Sequence, residues 1–252
     1  MTALGKISTF SEFIVNYFDQ VYVINLDNRP DRMQQVNELL SQYKITYKRI
    51  SGIFLKDKYI DVINNKTNTS SLGHLGCILS HVKCCQDALD NNYNRILVLE
   101  DDITFIENHI NSINFKELYK EIQTTDWDLF YLGATFNNKL IQLTAHLDTP
   151  SGEVWATQSV GYNKNMMTKI TSKVPSGPAY YMEGDRLERV LPIDIIYDQS
   201  FKKNRIAINP IICVQNTTAS DIVPSKLMVD NTEYQLSRWH QNKSVWYGDL
   251  ED

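Results

Sequence analysis

Apolar and polar residues alternate along this chain in two distinct patterns. Mainly apolar runs at residues 21–26, 96–99 and 127–133 are rich in aliphatic and aromatic side chains, which is typical of buried strands. Apolar residues recur every three or four positions over residues 33–43 and 72–89, which predicts two amphipathic helices. Strands and helices that alternate in this way predict an α/β sheet covered by helices on both faces.

Further elements are predicted on either side of this pattern. Residues 47–54 and 179–182 have the composition of short strands. The stretch 140–178 is polar and weakly periodic, so we expect it to form mobile loops over a binding site. Aromatic residues among charges in 224–252 suggest a C-terminal arm that packs back on the body. Because no repeat or linker divides the chain, residues 1–252 are expected to form a single domain.

The composition argues against several classes of protein. A formal net charge of −5 disfavours general nucleic-acid binding, which requires a positive surface. No apolar stretch has the length of a signal peptide or a transmembrane helix, so we expect a cytoplasmic protein. The cysteines Cys77, Cys84, Cys85 and Cys213 form no C-x-x-C pair. The sequence therefore predicts free thiols and neither a disulfide framework nor a zinc site.

Three consecutive acids, Glu100, Asp101 and Asp102, follow directly after the apolar run 96–99. Ligands of α/β sheets bind outside the carboxyl ends of the strands, which is where these acids are expected. Three unpaired carboxylates would repel one another, so a positive partner should lie nearby. Glu100 and Asp102 can point to the same side of an extended backbone, and Mg²⁺ and Mn²⁺ favour such oxygen ligands. The alternative is a solvated loop whose acids cap the next element.

The segment NLDNRPDR presents Asn25, Asp27, Arg29 and Arg32 at the end of the first predicted strand. A guanidinium can bind a phosphate or stack on a base, and a carboxylate can accept a hydrogen bond from a ribose hydroxyl. We interpret this segment as a nucleotide-binding turn. A polar turn with a surface ion pair is the alternative.

Other candidates lie on predicted helices or late in the chain. Ser80 and His81 belong to the second helix, where a lone histidine is usually a core or cap residue. Asp194 and Asp198 are four positions apart and would be neighbours on a helix, where either acid could instead be an N-cap. Asp221 follows an apolar stretch that begins at Ile208, and a simple turn is as good an explanation of it.

Ordered blocks of the sequence resemble glycosyltransferase family 25, which contains lipopolysaccharide glycosyltransferases and procollagen galactosyltransferases. The blocks are VYVINLDNRPDRM at 21–33, LGHLGCILSH at 72–81, ILVLEDD at 96–102, DWDLFYLG at 126–133 and LPIDIIYD at 191–198. The resemblance implies a GT-A type fold, with a Rossmann-like mixed sheet between helices. It also implies a nucleotide-sugar donor, probably UDP-linked, a divalent Mn²⁺ or Mg²⁺ ion, and inversion at the anomeric carbon.

The same resemblance implies roles for individual residues. Asp102 would be the direct metal ligand, with Asp221 as a weaker candidate to complete the metal or diphosphate site. Glu100 would bind the ribose or sugar of the donor with help from Asp101, and Ser80 or His81 would contact the donor. An inverting transfer also needs a base beside the attacking hydroxyl. The alignment slightly favours Asp198 over Asp194 for that role.

Three function classes are therefore compared. The leading prediction is transfer of galactose or a related hexose to a hydroxyl of a glycan, a lipid-linked sugar or a protein. A nucleotidyl- or phosphoryl-transferring enzyme would also use acids at a strand end, but no G-x-x-x-x-G-K-[ST] loop is present in the sequence. A catalytically silent sugar-nucleotide or glycan-binding module is the third class.

Overall fold

The computed structural model describes residues 7–55, 69–174, 182–183, 186–187, 191–201, 204–216 and 231–242. The first half of the chain contains α1 (Phe10–Tyr17), β1 (Gln20–Asn25), α2 (Pro30–Gln42), β2 (Lys48–Ser51), α3 (Thr69–Asp90), β3 (Arg95–Glu100), β4 (Ile103–Phe105), α4 (Glu107–Ser112) and α5 (Phe115–Thr124). The predicted strand at the amino-terminal end and the two predicted helices are confirmed within a few residues. Pro30 begins α2, as expected of a proline whose missing N–H would have no helical partner.

The second half contains β5 (Leu129–Phe136), β6 (Leu140–Gln142), β7 (Leu147–Pro150), β8 (Val154–Asn163), α6 (Lys164–Lys173), β9 (Met182–Glu183), β10 (Arg186–Leu187), α7 (Ile193–Ser200), β11 (Arg205–Ile208), β12 (Cys213–Gln215) and α8 (Asn231–Asn242). Helix α8 contacts β5 and β12. No helix in the described ranges is both long and apolar enough to cross a membrane.

Eight of the described strands form one mixed sheet in the order β2-β1-β3-β8-β5-β11-β7-β6. The pairs β1–β2, β1–β3 and β5–β11 are parallel, so β1, β2 and β3 end at one edge of the sheet. Strand β8 lies between β3 and β5 and is antiparallel to both. Its first residues therefore lie at the edge where β3 ends.

Helices cover both faces of the sheet, which confirms the predicted α/β fold class. Along β3, alternate side chains enter opposite cores: Ile96 and Val98 pack in one, Leu97 and Leu99 in the other. The first core includes apolar residues of α3, α6 and α7, and the second includes those of α1, α2 and α5. A strand that is buried on both sides explains why residues 96–99 show no polar alternation.

The expectation of mobile loops is wrong for residues 140–174, and residues 175–178 lie outside the described ranges. This stretch contains β6, β7, the central strand β8 and α6. Its polar character misled the prediction because β8 buries Thr157, Gln158 and Ser159 through side-chain hydrogen bonds. The strand predicted at 179–182 lies outside the described residues except for Met182, which begins β9.

Candidate functional site

The polar candidates meet at the edge of the sheet where three parallel strands end. Strand β1 ends at Asn25, β2 at Ser51 and β3 at Glu100. The antiparallel strand β8 adds Thr157 at the same edge, since Leu99 is paired with Ser159. The sheet topology therefore brings residues that are far apart in the sequence into one site.

The positive partner expected for the acid triplet is Arg32 of α2. Its Nη1 atom lies 3.0 Å from Asp101 Oδ1 and 3.6 Å from Asp102 Oδ2, and its side chain is only 6% exposed. Asn25 donates a second hydrogen bond to Asp101, from Nδ2 to Oδ2 over 2.7 Å. Burial raises the pKa of Asp101, although Asn25 and Arg32 oppose that rise.

Asp102 is held less completely than its neighbour. Its Oδ1 atom is buried and accepts no hydrogen bond from the described residues, whereas Oδ2 lies 3.5 Å from Gln215 Nε2. Burial and repulsion by Glu100 raise the pKa of Asp102 to about 7, even with Arg32 nearby. A buried carboxylate oxygen without a donor, next to two further acids, fits a divalent cation with oxygen ligands.

Glu100 is fixed by hydrogen bonds from two directions. Its Oε1 atom accepts from Thr157 Oγ1 at 2.9 Å and lies 3.4 Å from His81 Nε2. Burial opposes ionisation, but the contacts with His81 and Thr157 outweigh it and lower the pKa of Glu100. The first and last acids of the triplet thus differ in protonation, with Glu100 ionised more readily than Asp102.

Helix α3 supplies His81 and Ser80 from below the site. His81 is fully buried, and its Nδ1 atom lies 2.8 Å from the hydroxyl of Tyr162. Ser80 accepts from the Ile53 N–H at 2.9 Å and donates to the Gly76 carbonyl at 2.7 Å. A Cβ atom on Gly76 would approach the Ile53 carbonyl oxygen to 2.3 Å, so this position requires glycine.

These side chains line one pocket of mixed character. The acid triplet, Arg32, Ser80 and His81 provide polar groups, and Gln215 adds an amide. The apolar part of the lining comes from Ile24, Leu26, Ile53, Phe54, Leu55 and Leu72. An apolar wall with a few convergent polar groups is typical of a site for a small organic ligand.

Asp27 and Arg29 are not part of this pocket lining. Asp27 accepts from Arg49 at 2.6 Å and from Ser51 at 2.8 Å, and these bonds lower its pKa. Arg29 forms an exposed ion pair with Asp31 at 2.9 Å. Both therefore border the site, next to Asn25, and have protein partners of their own.

Asp194 and Asp198 lie on α7 and hold the beginning of β8. Asp198 forms a buried ion pair with Arg205 and accepts the Val154 N–H at 3.1 Å. Asp194 accepts the N–H of Ala156 at 2.9 Å, where the backbone has a φ of 71°. A non-glycine residue in this left-handed region is strained, and such strain concentrates at functional sites.

The two acids differ in which charged groups affect their pKa values. Burial raises the pKa of Asp194, and the charge of Glu100 raises it further. Burial also raises the pKa of Asp198, while Arg205 opposes that rise. Asp221, the second predicted metal ligand, lies outside the described residues.

Sequence reasoning missed Thr157, Gln215 and Cys77. Thr157 lay in the stretch interpreted as loops, and Gln215 lies on the short strand β12, which pairs with β4 beside the triplet. Cys77 lines the pocket four residues before His81. A threonine, a glutamine and an isolated cysteine have no distinctive spacing, so only the topology reveals their place.

The chain is similar in sequence to one described family. A family model described as "Glycosyltransferase family 25 (LPS biosynthesis protein)" matches residues 18–193. Human "Inactive glycosyltransferase 25 family member 3" is 26% identical in an alignment over 201 residues that covers 72% of this chain and 32% of that protein. "Procollagen galactosyltransferase 1" of Danio rerio is 31% identical in an alignment over 137 residues that covers 46% of this chain and 21% of that protein. The chain thus spans about a third or less of the length of these relatives.

Solved structures offer a more distant likeness. One described as a glycosyltransferase involved in glycosylation of the major capsid of PBCV-1 aligns over 87% of this chain and 98% of its own, with 9% identity and a TM-score of 0.41. Another, described as A197 from STIV, aligns over 78% and 84% with 9% identity and a TM-score of 0.42.

Proposed function

Because the chain belongs to glycosyltransferase family 25, we propose that it transfers a hexose, galactose or a close relative, from a UDP-linked donor to an acceptor hydroxyl. The acceptor would be a glycan, a lipid-linked sugar or a protein. The observation that carries the proposal is the buried Oδ1 atom of Asp102, which accepts no hydrogen bond within the described ranges and lies in a pocket that also presents Glu100, Asp101 and Arg32. Such a site suits a divalent cation and the diphosphate that accompanies it.

Asp102 would hold Mn²⁺ or Mg²⁺ directly. When bound, the ion would neutralise the negative charge that develops on a departing nucleoside diphosphate. The protein's own contribution is to keep Asp102 oriented by Gln215 and compensated by Arg32. The sequence position of Asp221 keeps it as a second candidate ligand.

The donor would lie along the apolar wall of the pocket with its polar groups towards the triplet. Glu100 is ionised and held by Thr157, so it can accept hydrogen bonds from hydroxyls of the ribose or the sugar. Asn25 and Asp101 would fix Arg32 for a phosphate contact. Ser80 and His81 would act mainly by shaping the pocket, while Asp27 and Arg29 border it.

We assign the base to Asp194 ahead of Asp198. Asp198 is held in a buried ion pair with Arg205, and its oxygens also accept the Val154 N–H. Asp194 accepts two backbone N–H groups, those of Ala156 and Ile195, is partly exposed and lies within electrostatic reach of Glu100. Burial raises the pKa of both acids, but the charge of Arg205 opposes that rise at Asp198, so Asp194 would be the better proton acceptor and would take the proton from the attacking hydroxyl.

A second candidate function is a sugar-nucleotide-binding module without catalysis. The human relative that matches 72% of this chain carries the word "Inactive" in its name, which favours this alternative. In such a protein the triplet would still bind metal and donor, but Asp194 would serve only to hold Ala156.

A panel of nucleotide sugars tested with Mn²⁺ separates these functions. A donor present at a hundred times its Kd should stabilise the fold by roughly 2.7 kcal/mol, which thermal unfolding detects. Donor hydrolysis or transfer should then require Mn²⁺, disappear with EDTA and be lost in Asp102→Asn. Binding without turnover would identify the silent module, and full activity in EDTA would disprove the metal assignment.

A further inference from the structure

Three potential metal ligands of different chemistry converge at the base of the pocket. Cys77 and His81 are four residues apart on α3, so they lie one above the other on the same helical face. Glu100, at the end of β3, reaches the same point. The Cys77 Sγ atom, a ring nitrogen of His81 and a carboxylate oxygen of Glu100 all lie within 4.8 Å of one another.

The spacing of these atoms is close to that of a tetrahedral zinc site. Nitrogen and oxygen ligands at the usual zinc distances are about 3.3 Å apart, and a sulfur ligand lies about 3.6 Å from either. In the protein, His81 Nε2 and Glu100 Oε1 are 3.4 Å apart. A movement of the Cys77 side chain by about 1 Å would close the remaining gap, a shift that a single side-chain torsion can supply. We propose that Cys77, His81 and Glu100 bind Zn²⁺, with water from the pocket as the fourth ligand.

The surroundings of His81 and Glu100 support such a site. Metal-binding histidines usually have their second ring nitrogen fixed by an oxygen, and His81 Nδ1 lies 2.8 Å from the Tyr162 hydroxyl. That hydroxyl is in turn 2.6 Å from the hydroxyl of Tyr197. Thr157 holds Glu100 in the same manner. Both ligands are thus oriented before the ion arrives.

The ligand chemistry separates this site from the one at Asp102. A thiolate and an imidazole favour Zn²⁺, whereas carboxylates and phosphates favour Mg²⁺ and Mn²⁺. Burial raises the pKa of the Cys77 thiol well above its usual value, so the metal-free protein holds Cys77 as S–H. On binding, the Sγ–H bond breaks, its proton leaves to solvent through the pocket, and the zinc–sulfur bond forms. His81 would bind through Nε2 as the neutral tautomer that carries its hydrogen on Nδ1, which faces the Tyr162 hydroxyl.

Zinc at this position would occupy Glu100, which the proposed function assigns to the donor. This consequence rests on the proposed function: zinc would compete with donor binding and inhibit transfer. The existence of the site does not depend on that function, because metal binding can be measured without a substrate.

The experiment uses the full chain, stripped of metal, with Co²⁺ as a spectroscopic probe and Zn²⁺ as its competitor. We expect thiolate-to-cobalt charge-transfer absorption in the near ultraviolet, which Zn²⁺ abolishes stoichiometrically. Cys77→Ala should lose that absorption and bind Zn²⁺ at least about tenfold more weakly, as loss of a metal-site group does. His81→Gln should also weaken Zn²⁺ binding. Cys84→Ala is the matched control, since Cys84 is a buried cysteine on the same helix outside the cluster.

Several results would overturn the site. Absence of thiolate absorption in the unsubstituted chain, or its persistence in Cys77→Ala, would exclude Cys77 as a ligand. Equal losses in Cys77→Ala and Cys84→Ala would do the same. If transfer activity is never found but the cobalt spectrum is as expected, the proposed function fails and the zinc site stands.

Discussion

Replacing Arg32 by methionine should expose the repulsion within the acid triplet. The substitution keeps an unbranched chain in the same space while removing the guanidinium that lies 3.0 Å from Asp101 and 3.6 Å from Asp102. Both ion pairs are buried, with side chains at most 10% exposed. The fold then retains buried acids without their cation.

The size of the effect follows from these distances. At an effective dielectric constant of about 20, each contact corresponds to about 5 kcal/mol of Coulomb attraction. Desolvation of the guanidinium offsets much of this, and removing one partner of a buried pair typically costs about 3–5 kcal/mol of stability. We therefore expect Arg32→Met to lower the free energy of unfolding by about that amount in metal-free buffer.

Urea unfolding followed by tryptophan fluorescence measures this loss. Asp101→Asn in the Arg32→Met background should recover part of it, with a coupling energy of about 0.5–3 kcal/mol in the double-mutant cycle. Mn²⁺ should stabilise Arg32→Met more than the unsubstituted chain, because the ion replaces the missing positive charge. Arg29→Met is the control three residues earlier, and it should change little because its partner Asp31 is exposed.

Two outcomes would refute this reasoning. Purely additive effects of Arg32→Met and Asp101→Asn would mean that the two side chains do not compensate each other. A smaller Mn²⁺ response in Arg32→Met would mean that Arg32 helps to bind the cation and does not compete with it.

Three further predictions test other parts of the site. An acid whose pKa is raised on folding stabilises the fold at low pH and loses that contribution as pH rises, so metal-free Asp102→Asn should gain stability over the unsubstituted chain between pH 3.8 and about 7. Thermal unfolding of both proteins at pH 4 and pH 8 measures this gain, and an equal difference in stability at the two pH values would contradict the prediction. Asp194→Asn should lower turnover by about 10²- to 10⁴-fold with unchanged donor Kd, whereas Asp198→Asn should chiefly destabilise the fold because Arg205 loses its carboxylate partner. Calorimetric donor binding and urea unfolding distinguish the two variants, and the reverse pattern would move the base to Asp198. Trp155 is 42% exposed and lies two residues before Thr157, so we expect it to stack on an acceptor sugar. Trp155→Ala should then raise the KM for the acceptor and leave donor binding unchanged, and an unaltered acceptor KM would exclude this contact.

The sequence predicted those parts of the site that follow from strand ends and helix periodicity. The acid triplet was placed correctly because an apolar strand before it leaves little choice of position. The sequence predicts Arg32 near phosphates and a positive partner for the acid triplet. That Arg32 is itself a partner of the triplet depends on how α2 packs against the sheet. Long-range pairs of this kind leave no periodic signal in a single sequence.

Strand β8 shows why the remainder could not be predicted. Its residues Thr157, Gln158 and Ser159 are polar, which favours a loop by composition. Each of these buried side chains donates a hydrogen bond to a neighbouring strand, either to Glu100 of β3 or to the Gly133 carbonyl of β5, and such partners are set by tertiary structure. Strand propensity therefore did not predict β8, because side-chain hydrogen bonds replace apolar packing in this part of the strand.

The position of β8 also explains how Glu100 and Asp194, to which the proposed function assigns the donor and the base, share one edge of the sheet. Because β8 runs antiparallel between β3 and β5, its first residues lie beside the last residue of β3. Thr157 then reaches Glu100, and the strained turn at Ala156 brings Asp194 to the same edge. A parallel strand in this position would have placed its own carboxyl end there, and not Ala156 and Thr157. The antiparallel insertion thus brings Asp194 to the edge that holds the triplet, where the proposed single displacement would need its base.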